Sequence, residues 1–101
     1  MNPANLDRII HERVRLAVMS ALAARGELAF NELKELLSVT DGNLSVHADV
    51  LVRAGLVAVR REFVGKKPRT TFVLTTEGKT RFKEYVKELE EMVRQSKEKG
   101  G

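Results

Sequence analysis

Cysteine is missing from this chain of 101 residues. That absence rules out a disulfide framework, thiolate metal ligands and a cysteine nucleophile, and it argues against sensing of soft metal ions. Long apolar runs are missing too: none approaches the ~20 residues that a bilayer crossing needs. The opening residues, MNPANLDRIIHERVR, lack the basic-then-apolar layout of a signal peptide. A cytoplasmic protein with no membrane partner is therefore expected. Histidine is scarce, and the two present, His11 and His47, stand far apart. No Ser-His-Asp set, metal-ligand cluster or phosphate-cradling glycine loop appears. Glu88, Glu90 and Glu91 fall in a segment of mixed charge, where solvation is the default. No catalytic residue, metal or cofactor is expected, and the chain does not read as an enzyme. Internal repeats and low-complexity segments are also lacking.

What is present reads as one domain, long enough to bury about two-thirds of the surface its unfolded chain would expose. Its 43% apolar content is ordinary for a globular protein. The net charge of +4 is unevenly distributed. Residues 26–56 hold two Lys/Arg against five Asp/Glu, whereas residues 57–81 hold seven against two. A basic stretch of that kind favours an anionic partner, nucleic acid first.

Apolar spacing predicts a first helix over about residues 5–25, with Ile10, Val14, Ala17, Val18, Ala21 and Leu22 on one side and Gly26 ending it. Ile9, Leu16, Met19 and Ala23 fall on the opposite side, and a helix apolar on two sides is buried on two sides. One side can face its own domain; the other points to a second subunit. GELAF (26–30) is an extended connection, and NELKELL (31–37) is a second helix with Asn31 as its expected cap. SVT (38–40) is a tight turn. Thr40 is expected to cap a third helix running to about Ala54, with Asp41 favoured by the dipole in its first turn. Leu44, Ala48 and Leu51 form its inward stripe, and Gly55 stops it. LVAVRREFV (56–64) and RTTFVL (69–74) read as two strands joined by a GKKP loop, with Pro68 confined to the loop or a strand edge. Thr75 or Thr76 opens a last helix over about residues 76–95, and SKEKGG (96–101) reads as a flexible tail.

Helix, helix, tight turn, helix and basic hairpin form a helix-turn-helix (31–54) followed by a wing (56–74). HERVRLAVMSAL (11–22), FNELKELLSVTDGNLSVHADVLVRAGLV (30–57) and GKKPRTTFVLTTEGK (65–79) stand in that order. With them the chain, from about Ile9 to Phe82, resembles the winged-helix transcription regulators of the MarR and ArsR type, especially their short single-domain forms. The resemblance implies an α+β, mainly α fold: a three-helix core with a β-hairpin wing and a C-terminal dimerisation helix, 1–95 forming a single domain. It implies binding to operator DNA as a homodimer joined through the first and last helices. By position, Thr40, Asp41, Gly42, Asn43, Ser45, Val46 and His47 match the recognition helix, and Lys66, Lys67 and Arg69 the wing tip. The dimer interface would draw on Ile9, Leu16 and Met19 and on Phe82, Tyr85, Val86, Leu89, Met92 and Val93. One departure is the Ala48-Asp49 pair, where such proteins commonly carry Leu and a basic residue.

The residues themselves support a division of labour. If Leu44 faces inward, a step of about 100° per residue puts Gly42, Val46, Asp49 and Arg53 outward, with Asn43 and Ser45 on the flanks. Gly42 permits close backbone approach; Asn43 can pair with adenine, Ser45 with base or phosphate, and Val46 with a thymine methyl. Asp49 reads as a repulsive group against unspecific sites. His47 lies nearest the inward stripe, so packing or a hydrogen bond competes with base contact. The near-neutral helix would select while the cationic hairpin attracts, two wings making roughly six phosphate contacts. The rival reading is a winged-helix protein-interaction module without an operator, favoured by Asp49 and the acidic balance of residues 26–56. A small-molecule effector also stays open, because such pockets are built from apolar residues that resemble core.

Overall fold

The computed structural model describes residue 2 and residues 5–100, with side chains to residue 98. Its elements run α1 (Arg13–Arg25), β1 (Leu28–Ala29), α2 (Phe30–Leu37), α3 (Asp41–Arg53), β2 (Val57–Val64), β3 (Lys67–Leu74) and α4 (Thr76–Gly100). This is the expected architecture, a helix-turn-helix followed by a hairpin wing and a last helix.

The first helix is shorter than its periodicity promised. The Asp7 carboxylate accepts from the backbone N–H groups of Ile9 (2.9 Å) and Ile10 (3.2 Å). This local turn competes with helix. The chain then extends at Glu12, whose carboxylate accepts from Arg15 N–H at 2.8 Å and caps α1. Residues 5–12 are therefore turns, although Leu6 and Ile10 still reach the core.

The second helix begins one residue before its expected cap. Ala29 stands at the N-cap, and the Glu32 carboxylate accepts from its N–H at 2.9 Å. Asn31 lies inside the helix and caps nothing. The preceding connection gains a role: Leu28 and Ala29 pair antiparallel with Phe72 and Thr71, giving a sheet of order β1-β3-β2. Ser38 ends α2 in the left-handed region at φ 54°. Thr40 then caps α3, its Oγ1 accepting from Asn43 N–H at 3.1 Å.

Leu44 and Leu51 are fully buried and Ala48 nearly so, against a core that includes Val14, Val18, Leu22 and Leu33. Each such leucine contributes about 1.5–3 kcal/mol of burial, and together they fix which face α3 turns outward. Met19 belongs to this core as well, with no exposed surface. The second apolar side of α1 is thus partly satisfied within the protomer.

The wing loop is tighter than expected. Val64 pairs with Lys67, so only Gly65 and Lys66 form the turn, with Gly65 at φ 65°. Two-residue hairpin turns require positive φ there, which suits glycine. Pro68 sits within β3 opposite Phe63, where β1 does not reach the other side of the strand.

At the far end, Thr75 Oγ1 donates to Gly55 O at 2.7 Å and accepts from Gly78 N–H at 2.9 Å. The end of α3 is thereby tied to the start of α4. α4 continues past its expected end to Gly100, carried by contacts of Arg94 with Glu91 and Glu98 and of Gln95 with Glu91. Charged pairs three and four apart support such a helix. Residues 96–100 continue α4 where a tail was expected, and Gly101 lies outside the described residues.

Among Gly26, Gly42, Gly55, Gly65 and Gly78, Gly78 is the most closely approached. A Cβ placed there would stand 2.0 Å from the Leu56 carbonyl oxygen and 2.9 Å from its carbon. Backbone atoms cannot swing aside. Gly78→Ala is expected to cost on the order of 3 kcal/mol, read as a lower urea midpoint; an unchanged midpoint would show that the approach is looser.

Candidate nucleic-acid interface

α3 presents its outward face as the helical step requires. Gly42, Asn43, Ser45, Val46, Asp49 and Arg53 are all exposed, Val46 by 62%. Nothing lies within 4 Å of a Cβ built on Gly42. The protomer's own packing therefore does not demand glycine there, while a surface laid against the helix would gain close backbone access.

The two carboxylates of this helix do not stand alone. Asp49 Oδ2 is 2.9 Å from Arg53 Nε one turn later, and Asp41 Oδ1 is 2.9 Å from Lys34 Nζ. Each anion is matched within the protomer, so the outward face is close to electrically neutral. Asp49 is an ion-pair partner, and the repulsive role drawn from the sequence loses its bare charge. His47 turns away from this face. Its Nδ1 lies 3.0 Å from Arg15 Nη1 and 3.3 Å from Glu12 Oε1, and it is largely covered between α3 and α1. It links α3 to the start of α1.

The hairpin sorts its side chains by strand alternation. Val59, Arg61, Thr70 and Phe72 line a groove of about 410 Å³ shared with Ser45, Asp49 and Val52 of α3. Phe63 and Pro68, two positions further along their strands, continue that face towards the tip. The opposite face carries Arg60, Glu62 and Arg69. There Arg60 donates two hydrogen bonds of 3.0 Å to Glu27 and one of 3.4 Å to Glu62, and Arg69 Nη2 lies 3.3 Å from Glu32 Oε1.

Thus the basic stretch is not uniformly free. Arg69, expected at the wing tip, is held to the start of α2 on the face away from α3. Lys66 and Lys67 stand at the turn, and neither they nor Arg61 makes an ion pair among the described residues. Arg61 was not singled out by the sequence reading. The signal that separates it from Arg60 is its even spacing from the inward Val59, usable only once the hairpin register is known.

The residues expected between subunits also divide. Met19 is fully buried and Tyr85 is 2% exposed, its hydroxyl 2.7 Å from His11 Nδ1. These two have no surface to give to a partner, because the protomer's own core already consumes it. Ile9, Leu16, Phe82, Val86, Leu89 and Met92 are half-buried, and Val93 is 48% exposed.

The Arg60 guanidinium, through its hydrogen bonds and charge, holds the Glu27 carboxyl below the usual carboxylate range, with Arg69 adding to the effect. A carboxylate depressed in the folded state adds stability above its unfolded pKa and loses it as pH falls through the folded value. The Glu27–Arg60 link should therefore outlast the ordinary midpoint of ~4.3 on acidification. Following the Glu27 side-chain carboxyl resonance against pH checks this; a midpoint at or above the ordinary value would contradict the pairing.

Comparison with known proteins agrees with this geometry. The family model described as winged helix DNA-binding domain matches residues 14–93. An uncharacterized protein of Methanocaldococcus jannaschii is 32% identical over 82 residues, covering 81% of this chain and 89% of that protein. The solved structure of a transcriptional regulator homologue from Pyrococcus horikoshii superposes with a TM-score of 0.81 at 31% identity, covering 87% of each chain. A MarR family transcriptional regulator from Silicibacter pomeroyi gives a TM-score of 0.67 at 28% identity, over 81% of this chain and 53% of that one.

Proposed function

Because this chain belongs to the winged helix DNA-binding domain family, we propose that it is a homodimeric, sequence-specific transcription regulator acting on double-stranded DNA in the cytoplasm. α3 enters the major groove, where Asn43, Ser45 and Val46 meet base edges and Gly42 lets the backbone come close. The wing reaches the neighbouring backbone and minor groove. The observation that carries this reading is the placement of charge. The carboxylates of α3 are matched by Arg53 and by Lys34 of α2, while among the described residues Arg61 on the wing face that flanks α3, Lys66 in the turn and Lys67 just beyond it on the other face make no ion pair.

Such an arrangement separates attraction from selection. Phosphate contacts position a protein and base contacts specify its site. The cations that attract are therefore Arg61, Lys66 and Lys67, in place of a set that includes Arg69. Two wings give roughly six phosphate contacts and a salt slope near −5 on logarithmic axes. Changing these three residues to Ala should flatten most of that slope, measured by fluorescence anisotropy across salt concentrations. Arg69→Ala alone should leave it nearly intact. A slope unmoved by the triple change would overturn the assignment.

The dimer rests on α4. At 25 residues it is about 37 Å long, and its stripe of Phe82, Val86, Leu89, Met92 and Val93 is only partly covered by its own protomer. A groove of about 560 Å³ floored by Leu22, Val73, Phe82 and Val86 adjoins the stripe. A second copy would cover both and set two α3 helices on one side, so half-sites about 34–36 Å apart are expected. The double change Leu89→Asp and Val93→Asp should give a folded monomer in sedimentation equilibrium; a persistent dimer would place the interface elsewhere.

The protein-interaction alternative drew on the acidic balance of residues 26–56 and on Asp49. With Asp49 matched by Arg53, that argument weakens.

A further inference from the structure

Resting on the DNA-binding reading, one feature of the wing remains unexplained by charge. Phe63 is 74% exposed and Val64 57% exposed, side by side next to the Gly65-Lys66 turn. Elsewhere the large aromatics are covered: Phe72 and Tyr85 are buried, and Phe30 and Phe82 half-buried. A phenylalanine left in water at a hairpin tip contributes nothing to the protomer's stability, and it favours pairing of edge strands between molecules. The surrounding chemistry selects among occupants. Phe63 shares its face with Arg61 and stands opposite Pro68, with Lys66 in the adjoining turn, whereas Lys67 pairs with Val64 on the other face. An apolar tip flanked by Arg61 and Lys66, neither in an ion pair among the described residues, suits a polyanion with apolar interior surfaces, which describes stacked bases between phosphates.

Position supports the same occupant. Val59 lines the groove with α3, and Phe63 lies four residues further along β2, about 13 Å away. Half of the ~34 Å helical repeat of DNA separates a major groove from the adjacent minor groove. With α3 in the former, a tip about 13 Å beyond the α3 groove extends towards the latter, about 17 Å away.

We propose that Phe63 is a wedge: it enters the minor groove beside each half-site, partly unstacks one base step and bends the duplex. Apolar side chains are used this way where the bend brings more protein surface into contact. Pyrimidine–purine steps, above all TA, unstack most readily. Phe63 therefore adds a sequence preference about half a turn from the bases that α3 reads, with no hydrogen bond to any of them.

The test uses the full chain and a duplex of about 30 base pairs chosen by the wild-type protein from a random library. 2-Aminopurine is placed at successive flanking positions, and fluorophores at the duplex ends report bending. Phe63→Ala should weaken binding about ten-fold, abolish a 2-aminopurine rise confined to one flanking step and straighten the duplex, while the salt slope stays unchanged. Phe63→Leu should keep part of each effect. Replacing the flanking step with GC should weaken the wild type but not Phe63→Ala. Equal affinity and bending for wild type and Phe63→Ala would overturn the wedge, as would a change of oligomeric state in Phe63→Ala, which would make the tip a contact between copies. Failure of the wild-type protein to retain any duplex at low salt would instead overturn the DNA-binding reading itself.

Discussion

The register of the β2–β3 hairpin decides where each charge of the wing goes. With only Gly65 and Lys66 in the turn, Arg61 and Phe63 share the face that flanks α3, and Arg60 and Arg69 share the other. A slip of one residue would exchange the two faces. Arg61 would then be drawn to Glu27 and Glu32, and the acidic Glu62 would be turned towards α3. The register is held by the short turn and by the ladder from Val57–Leu74 to Val64–Lys67. The carboxylates of Glu27 and Glu32 reinforce it, because they accept the cations of one face only. Surface ion pairs of this kind contribute little to stability. Their consequence here is orientation: they fix the wing against α2 and leave the other face for a partner.

The remainder of the fold serves to hold α3 beside that hairpin. Leu44, Ala48 and Leu51 set its rotation about its own axis, and His47 pins its side to α1 through Arg15 and Glu12. Its end is fastened by the Thr75 hydroxyl and by the close packing of Gly78 on Leu56. α3 and the start of α4 are therefore mechanically joined.

Much of this was legible in the residues because it is local. Thr40 as a cap, Leu44, Ala48 and Leu51 as the inward stripe, and Gly55 and Gly65 as punctuation all follow from chemistry within a few positions. What escaped depends on distant partners. The periodicity of residues 5–12 is helical, but Asp7 takes their N–H groups into turns. Met19 and Tyr85 look like interface residues on a helical wheel, yet other elements of the same protomer already cover them. Charges were harder still, since composition cannot say that Arg69 meets Glu32 while Arg61 meets no carboxylate among the described residues. The necessity of Gly78 appears only when the Leu56 backbone is placed against it.

The central claim is that one wing face and the outward side of α3 form a single DNA-binding surface, while the second wing face is occupied by internal ion pairs. Titrating isotope-labelled protein with a duplex and following both backbone amides and arginine Nε–H resonances tests this residue by residue. Shifts should concentrate at Gly42, Asn43, Ser45, Val46, Arg61, Phe63, Lys66 and Lys67, while the Nε–H signals of Arg60 and Arg69 stay in place. Large shifts at Arg60 and Arg69 with a silent Arg61 would show that the duplex meets the opposite face, and the account would fail.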